Sequence, residues 1–135
     1  MGDQGLSRVL AVDPGEARLG LAVSDPTGLV ARPLQVITHA SRQLDARKIA
    51  TIAAEHSAEM IVVGVALDQD GEHGPQARRS LRLMEALKLE TDLPIEAWDE
   101  SGSTQKAISL KGHGDDLDAR AAAVILQEYL DVRRA

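Results

Sequence analysis

The sequence predicts an α/β fold with a mixed sheet, and three observations carry the prediction. Two near-continuous apolar runs, Val9-Leu10-Ala11-Val12 and Met60-Ile61-Val62-Val63-Gly64-Val65, read as strands covered on both faces, hence central and parallel. Between the first run and residue 37 lie two further strand-like stretches joined by turns that carry Pro and Gly, which makes an antiparallel meander. Beyond them, three segments with apolar residues at helical spacing alternate with strands. The predicted order is β-β-β-α-β-α-β-α. No internal repeat, low-complexity tract or linker divides the chain, so residues 1–135 are expected to form one domain.

The first strand, Arg8 to Asp13, runs into Pro14-Gly15, which stops it sharply. Arg18 to Ser24 follows with period two: Leu19, Leu21 and Val23 alternate with Gly20, Ala22 and Ser24. After the turn Asp25-Pro26-Thr27-Gly28, a third strand is expected over Leu29 to Ile37, with Pro33 marking an edge or a bulge. Ser41 can cap a helix to about His56, with Ile49, Ile52, Ala53 and His56 on one face. Met60 to Val65 is the second central strand, and residues 66–74 are a polar loop. Pro75 suits the first turn of a helix to Glu90 whose apolar side is Ala77, Leu81, Met84 and Leu87. Pro94 to Trp98 is the last strand, and Gln105 to Leu110 is at best a short helix. A final helix from Asp115 or Asp116 to about Arg133 presents Leu117, Ala121, Val124, Ile125 and Tyr129.

Composition narrows the class. With 135 residues and 44% apolar content the chain can bury a core without staples, and disorder is not expected. There is no Phe, one Trp and one Tyr, so packing must come from aliphatic side chains. The absence of cysteine excludes disulfides and thiolate metal sites. No apolar run approaches the roughly 18 residues of a membrane span, and residues 1–5 lack a signal-peptide pattern. A cytoplasmic protein without membrane contact is expected. The net charge of −6 weighs against non-specific binding to nucleic acid, but not against an acidic, metal-loaded site beside a local basic patch.

Three acidic positions converge. Asp13 ends the first strand, Asp99 and Glu100 follow the last, and Asp118 lies one turn into the final helix beside its apolar stripe. Functional groups in open α/β sheets gather at the carboxyl ends of the parallel strands. Clustered carboxylates repel one another unless a cation joins them, and oxygen donors select Mg²⁺ or Mn²⁺. A nearby arginine would serve the first strand's aspartate equally well. Each position also has a plain meaning: Asp13 can start a turn, Asp99-Glu100 can be an ordinary loop, and Asp118 can favour a helix dipole. Their meeting at one sheet end favours a site.

Other features are weaker. The Gly71-Glu72-His73-Gly74-Pro75 loop precedes a helix start, where backbone N–H groups can hold phosphate, though it lacks the P-loop pattern. Arg78, Arg79 and Arg82 read first as a solvated helix face and second as phosphate contacts. The histidines at 39, 56, 73 and 113 have no metal-ligand spacing, and no arrangement suggests a covalent nucleophile.

Four segments resemble the YqgF/RuvX family of Holliday-junction-resolvase-like, pre-16S rRNA nucleases. They are Leu10 to Gly15 with Arg18 to Asp25, Ile61 to Gly64 through Asp70 to Ala77, Trp98 to Thr104, and Asp118 with Ala121 to Gln127. They stand in family order over nearly the whole chain. The resemblance implies an RNase H-like fold with sheet order 3-2-1-4-5. It implies a metal-dependent nuclease acting on structured RNA or branched DNA, with Asp13, Glu100 (or Asp99) and Asp118 at the acidic active-site positions. Asp13, Glu100 and Asp118 are the expected ligands of Mg²⁺ or Mn²⁺. Arg18, His73, Arg78, Arg82, Ser103 and Thr104 are the expected substrate contacts. The chain departs from the family at Ser101-Gly102, where Arg-Leu is usual, at Val65-Ala66, where Leu-Pro is usual, and in a short stretch between Thr104 and Asp118. These changes keep the ligand positions and remove a cation beside them. A monomer or a homodimer is compatible with the sequence. The rival reading is a non-catalytic nucleic-acid or ribosome-associated binding module on the same fold. A phosphotransferase of the actin-like type needs two lobes, for which the chain is too short.

Overall fold

Strand β1 (Val9–Pro14) lies at the centre of a five-stranded sheet because it is apolar on both faces. The computed structural model describes residues 8–66, 74–99 and 114–134. After β1 come β2 (Arg18–Ser24), β3 (Ala31–Thr38), α1 (Arg42–Glu55), β4 (Met60–Val65), α2 (Pro75–Glu90), β5 (Ile95–Asp99) and α3 (Gly114–Arg134). The sheet order is β3-β2-β1-β4-β5, as the resemblance implied. The meander β1-β2-β3 is antiparallel, and β4 and β5 join in parallel on the other side of β1. The expected helix at 105–110 and the loop at 67–73 lie outside the described residues.

Period-two alternation sorts the core into two clusters. Leu10, Val12, Leu19, Leu21, Ile61 and Val63 point to the side covered by α1 and α2. Val9, Ala11, Ala22, Met60 and Val62 point to the other side, where α3 packs through Ala122, Leu126, Tyr129 and Leu130. With no Phe to fill gaps, both clusters are almost wholly aliphatic. Tyr129 and Trp98 supply one edge-to-face ring pair, with centroids 5.6 Å apart.

Several boundaries differ from expectation for identifiable reasons. The third strand starts at Ala31 rather than Leu29. The amides of Leu29 and Val30 donate instead to Asp25 Oδ1, at 2.8 and 2.9 Å. Pro33 occupies the edge strand, and the pairing slips between Leu21/Gln35 and Ala22/Pro33, leaving Leu34 as the extra residue of a bulge. Helix α1 begins as expected: Ser41 Oγ accepts the Leu44 N–H at 3.1 Å. The buried side of α2 is Ala77, Ser80, Leu83, Ala86 and Leu87, with Leu81 and Met84 half-buried. The stripe is rotated from the predicted one because α2 leans on α1 as well as on β4 and β5. Helix α3 buries Ala122, Leu126 and Leu130 beyond the predicted stripe, and Val124 is only half-buried.

Asp25 closes the β2–β3 connection. Its carboxylate accepts from the side chain and backbone of Thr27 and from the amides of Leu29 and Val30, around Gly28 at φ 73°. The Thr27 hydroxyl, foremost, and these amides hold its carboxyl far below the usual carboxylate range. Because the folded-state value is depressed, its contribution to stability is full above the ordinary value of about 4 and drains as pH falls toward the folded value. Asp25→Asn is therefore expected to melt below the parent at pH 7 and pH 5, with the gap closing in stronger acid. Thermal melts at each pH check this; a gap that does not change with pH would show that the carboxylate charge is not what closes the turn. On α3, Gln127 completes the connection. Its Oε1 accepts the Ala31 N–H at 2.9 Å and its Nε2 donates to Leu29 O at 3.0 Å.

Candidate active site

Asp13 is the first side chain of β1 that is not fully buried, and it continues the Val9-Ala11 side of the strand. It therefore faces α3. Its antiparallel register partner is Gly20 on β2. A Cβ on Gly20 would stand 2.0 Å from the carbonyl oxygen of Asp118, so glycine is what lets α3 descend onto β2 at this point. The same contact sets Asp118 over the position opposite Asp13. Two acids 105 residues apart in the chain thus reach one corner through a missing methyl group.

Arg18 enters the corner from β2, two residues before Gly20 and on the same face. Its Nε donates to Asp118 Oδ2 at 2.6 Å, with the two side chains 44% and 31% exposed. Such a partly solvated pair is worth up to about 1 kcal/mol. The pair itself therefore holds the guanidinium in this corner only weakly.

The alternation of β5 separates the remaining acids. Trp98 packs in the α3-side cluster, while Ile95 packs against the α1/α2-side cluster. Asp99 shares the parity of Ile95, so it points to the α1/α2 side, away from Asp13 and Asp118. Glu100, His73, Ser103 and Thr104, and the departures at Ser101-Gly102, lie outside the described residues. Among the described residues no group of three His, Cys, Asp or Glu side chains is gathered tightly enough to hold a metal ion.

Arg78 and Arg82 lie on the other side of the sheet, in a pocket of about 320 Å³ that also takes in Arg42, Arg79 and His39. Sequence reasoning assigned no role to Arg42 or His39. His39 contacts the buried carboxylate of Asp45, which also accepts the Ala40 N–H at 3.0 Å. An aspartate on the apolar stripe of α1 was the visible signal, but its partner could not be named without the fold.

Residues 7–132 match the family model of RuvX, described as Holliday junction resolvase. The chain belongs to the RuvX family. A relative from Anaeromyxobacter sp. is 41% identical over 136 residues, covering 95% of this chain and 99% of its own. One from Desulforamulus reducens is 38% identical over 132 residues, covering 92% and 96%. Both bear the name "Putative pre-16S rRNA nuclease". Among solved structures, RuvC of T. thermophilus in complex with a Holliday junction substrate superposes with a TM-score of 0.62 at 17% identity, covering 95% of this chain and 96% of that one. At that identity the likeness speaks for the fold alone, which is RNase H-like as expected. No described helix is long and apolar enough to cross a membrane.

Proposed function

We propose that the chain is a metal-dependent nuclease that hydrolyses phosphodiester bonds in structured nucleic acid, pre-16S rRNA first and Holliday junctions second. In this reading residues 1–135 act as one domain. The observation that carries it is the Gly20 contact, which draws Asp118 onto the sheet opposite Asp13. This close approach of backbone to backbone packs α3 against β2, and it also brings two carboxylates onto one face.

The donor chemistry fits a hard divalent cation. Carboxylate oxygens of Asp13 and Asp118, joined by Glu100 from the sequence pattern, form an all-oxygen set suited to Mg²⁺ or Mn²⁺. Such a cation, when bound, lowers the pKa of an attacking water and stabilises charge on the departing oxygen. The chain's own residues do the rest. Asp13 and Asp118 would supply carboxylate oxygens to that cation from one side of the corner. Arg18 neutralises Asp118 before substrate arrives and then turns its guanidinium to a phosphate oxygen. In this reading Ser103 and Thr104 add hydroxyl donors. Asp99, on the opposite face, is left out of the ligand set.

A second reading, a non-catalytic binding module, draws on the same ion pair: Arg18 already supplies Asp118 with a cation. The two are separated by incubating the protein with labelled pre-rRNA fragments and four-way DNA junctions in Mg²⁺, Mn²⁺ or EDTA. Cutting that needs the metal is expected. Binding without turnover, by a protein shown to be folded, would replace the nuclease reading with the second one.

A further inference from the structure

We propose that the arginine-lined pocket on the α1/α2 side is a phosphate-binding site for the substrate strand, taking backbone phosphates next to the bond held at Asp13. It rests on the nucleic-acid reading above and extends it to the other face of the sheet. Arg42 comes from α1, and Arg78, Arg79 and Arg82 come from α2. Three arginines on one helix would be an ordinary solvated face. The fourth arrives from a different helix, and all four border one cavity of about 320 Å³. That volume is at the lower end for ligand pockets and suits a nucleotide-sized unit rather than a duplex.

The charge is local. Four of the chain's fifteen Lys and Arg residues gather here on a protein of net charge −6. Among the described residues Asp45 is the one carboxylate in the lining, and it is engaged by His39 and the Ala40 amide. Arg79 reaches only the exposed Glu16, at 4.0 Å. Among the described residues Arg42 and Arg82 have no ion-pair or hydrogen-bond partner. An oligoanion would add charge-assisted hydrogen bonds to guanidinium groups that border one cavity.

The location selects the anion. Asp13 faces α3, and the next residue, Pro14, lines the pocket together with Gly15. The Pro14-Gly15 turn is thus shared by the carboxylate corner and the basic pocket. A strand crossing this turn places one phosphate at the acids and its neighbours at the arginines. Leu19 and Leu83 give the pocket an apolar floor, against which a sugar can rest. A free phosphate or mononucleotide offers the arginines the same group but has no reason to span the turn.

The test is binding without chemistry. A labelled single-stranded RNA of about 12 nucleotides, within the range that one binding groove covers, is titrated with the full chain in EDTA at several salt concentrations. The Arg42→Ala/Arg82→Ala variant is expected to bind at least tenfold more weakly. Its slope of log affinity against log salt should shrink by about 1.4, at about 0.7 per lost phosphate contact. Arg32→Ala, on the exposed edge strand, should match the parent in both. Both altered arginines are exposed, so melting should not change, and a melt checks this. Unchanged affinity and slope in the double variant would overturn the proposal, as would no RNA binding by the parent. Loss of 5′-AMP or inorganic phosphate binding with RNA binding intact would also overturn it, by moving the site to free anions. Because no cleavage is read, failure of the nuclease reading leaves this result standing, and the reverse also holds.

Discussion

Asp13→Asn is expected to lower cleavage by more than about 100-fold, beyond the range that changes outside a metal's direct ligands produce. The substitution keeps shape and removes one negative charge and one strong oxygen donor. Asp13 sits at the half-buried end of β1, past the last fully apolar pair of the strand, so the core is untouched and the melting temperature should stay close to that of the parent. Binding of RNA in EDTA should be equal or tighter, since a like charge facing the phosphates is gone. Single-turnover cleavage in Mn²⁺ and Mg²⁺, run beside the melt and the binding titration, separates these outcomes. Cleavage at the parental rate would remove Asp13 from the site and with it the argument from the corner.

Gly20→Ala tests the corner from the packing side. Its new Cβ would stand 2.0 Å from Asp118 O and 3.1 Å from Ala119 N, both backbone atoms that no rotamer change can move. Helix α3 must lift, or β2 must bow. Overpacking of this kind costs about 1–3 kcal/mol, which lowers the melting temperature by roughly 3–11 °C in a chain of this size. Cleavage should fall by more than the stability loss explains, because lifting α3 carries Asp118 away from Asp13. Ala121→Gly is the control. It weakens the same helix by about 1 kcal/mol of backbone propensity, plus the packing of one buried methyl, without wedging it off the sheet, and its cleavage should stay near the parental rate at a temperature where both proteins are folded. If the two variants lose activity in step with their stability, Gly20 is a packing glycine and nothing more.

Much of the fold was legible because the chain punctuates itself. Pro14-Gly15 and Asp25 to Gly28 end strands, Pro33 flags an edge or a bulge, and the short β-branched run Met60 to Val65 reads as a doubly covered strand. What stayed hidden depends on partners far away in sequence. The face of α2 could not be chosen between Leu81 and Leu83 without knowing that α1 lies beside it. Asp45 stands on the apolar stripe of α1 and is 4% exposed, but its partners, the His39 ring and the Ala40 amide, come from the loop before the helix. For the site, the acidic positions were readable as a set. The side to which Asp99 points was not, since alternation along β5 acquires a meaning only once Trp98 is seen against Tyr129. Arg18 was marked as a substrate contact, and its bond to Asp118 spans 100 residues, a distance over which no local pattern carries information.

That span has a consequence for how the molecule is made. β1 and β2 pair with each other early and locally, but their α3-facing side chains have nothing to pack on until the last helix in chain order exists. At ribosomal speeds of about 5–20 residues per second, Asp118 follows Arg18 by roughly 5–20 s. During that interval the nascent meander presents Val9, Ala11 and Ala22 without cover, and the acidic corner has only one of its walls. Docking of α3 therefore finishes the core and the carboxylate pair in one event. A chain still in synthesis before α3 has neither, so the chemistry proposed for this corner is withheld until α3 has been made and has docked.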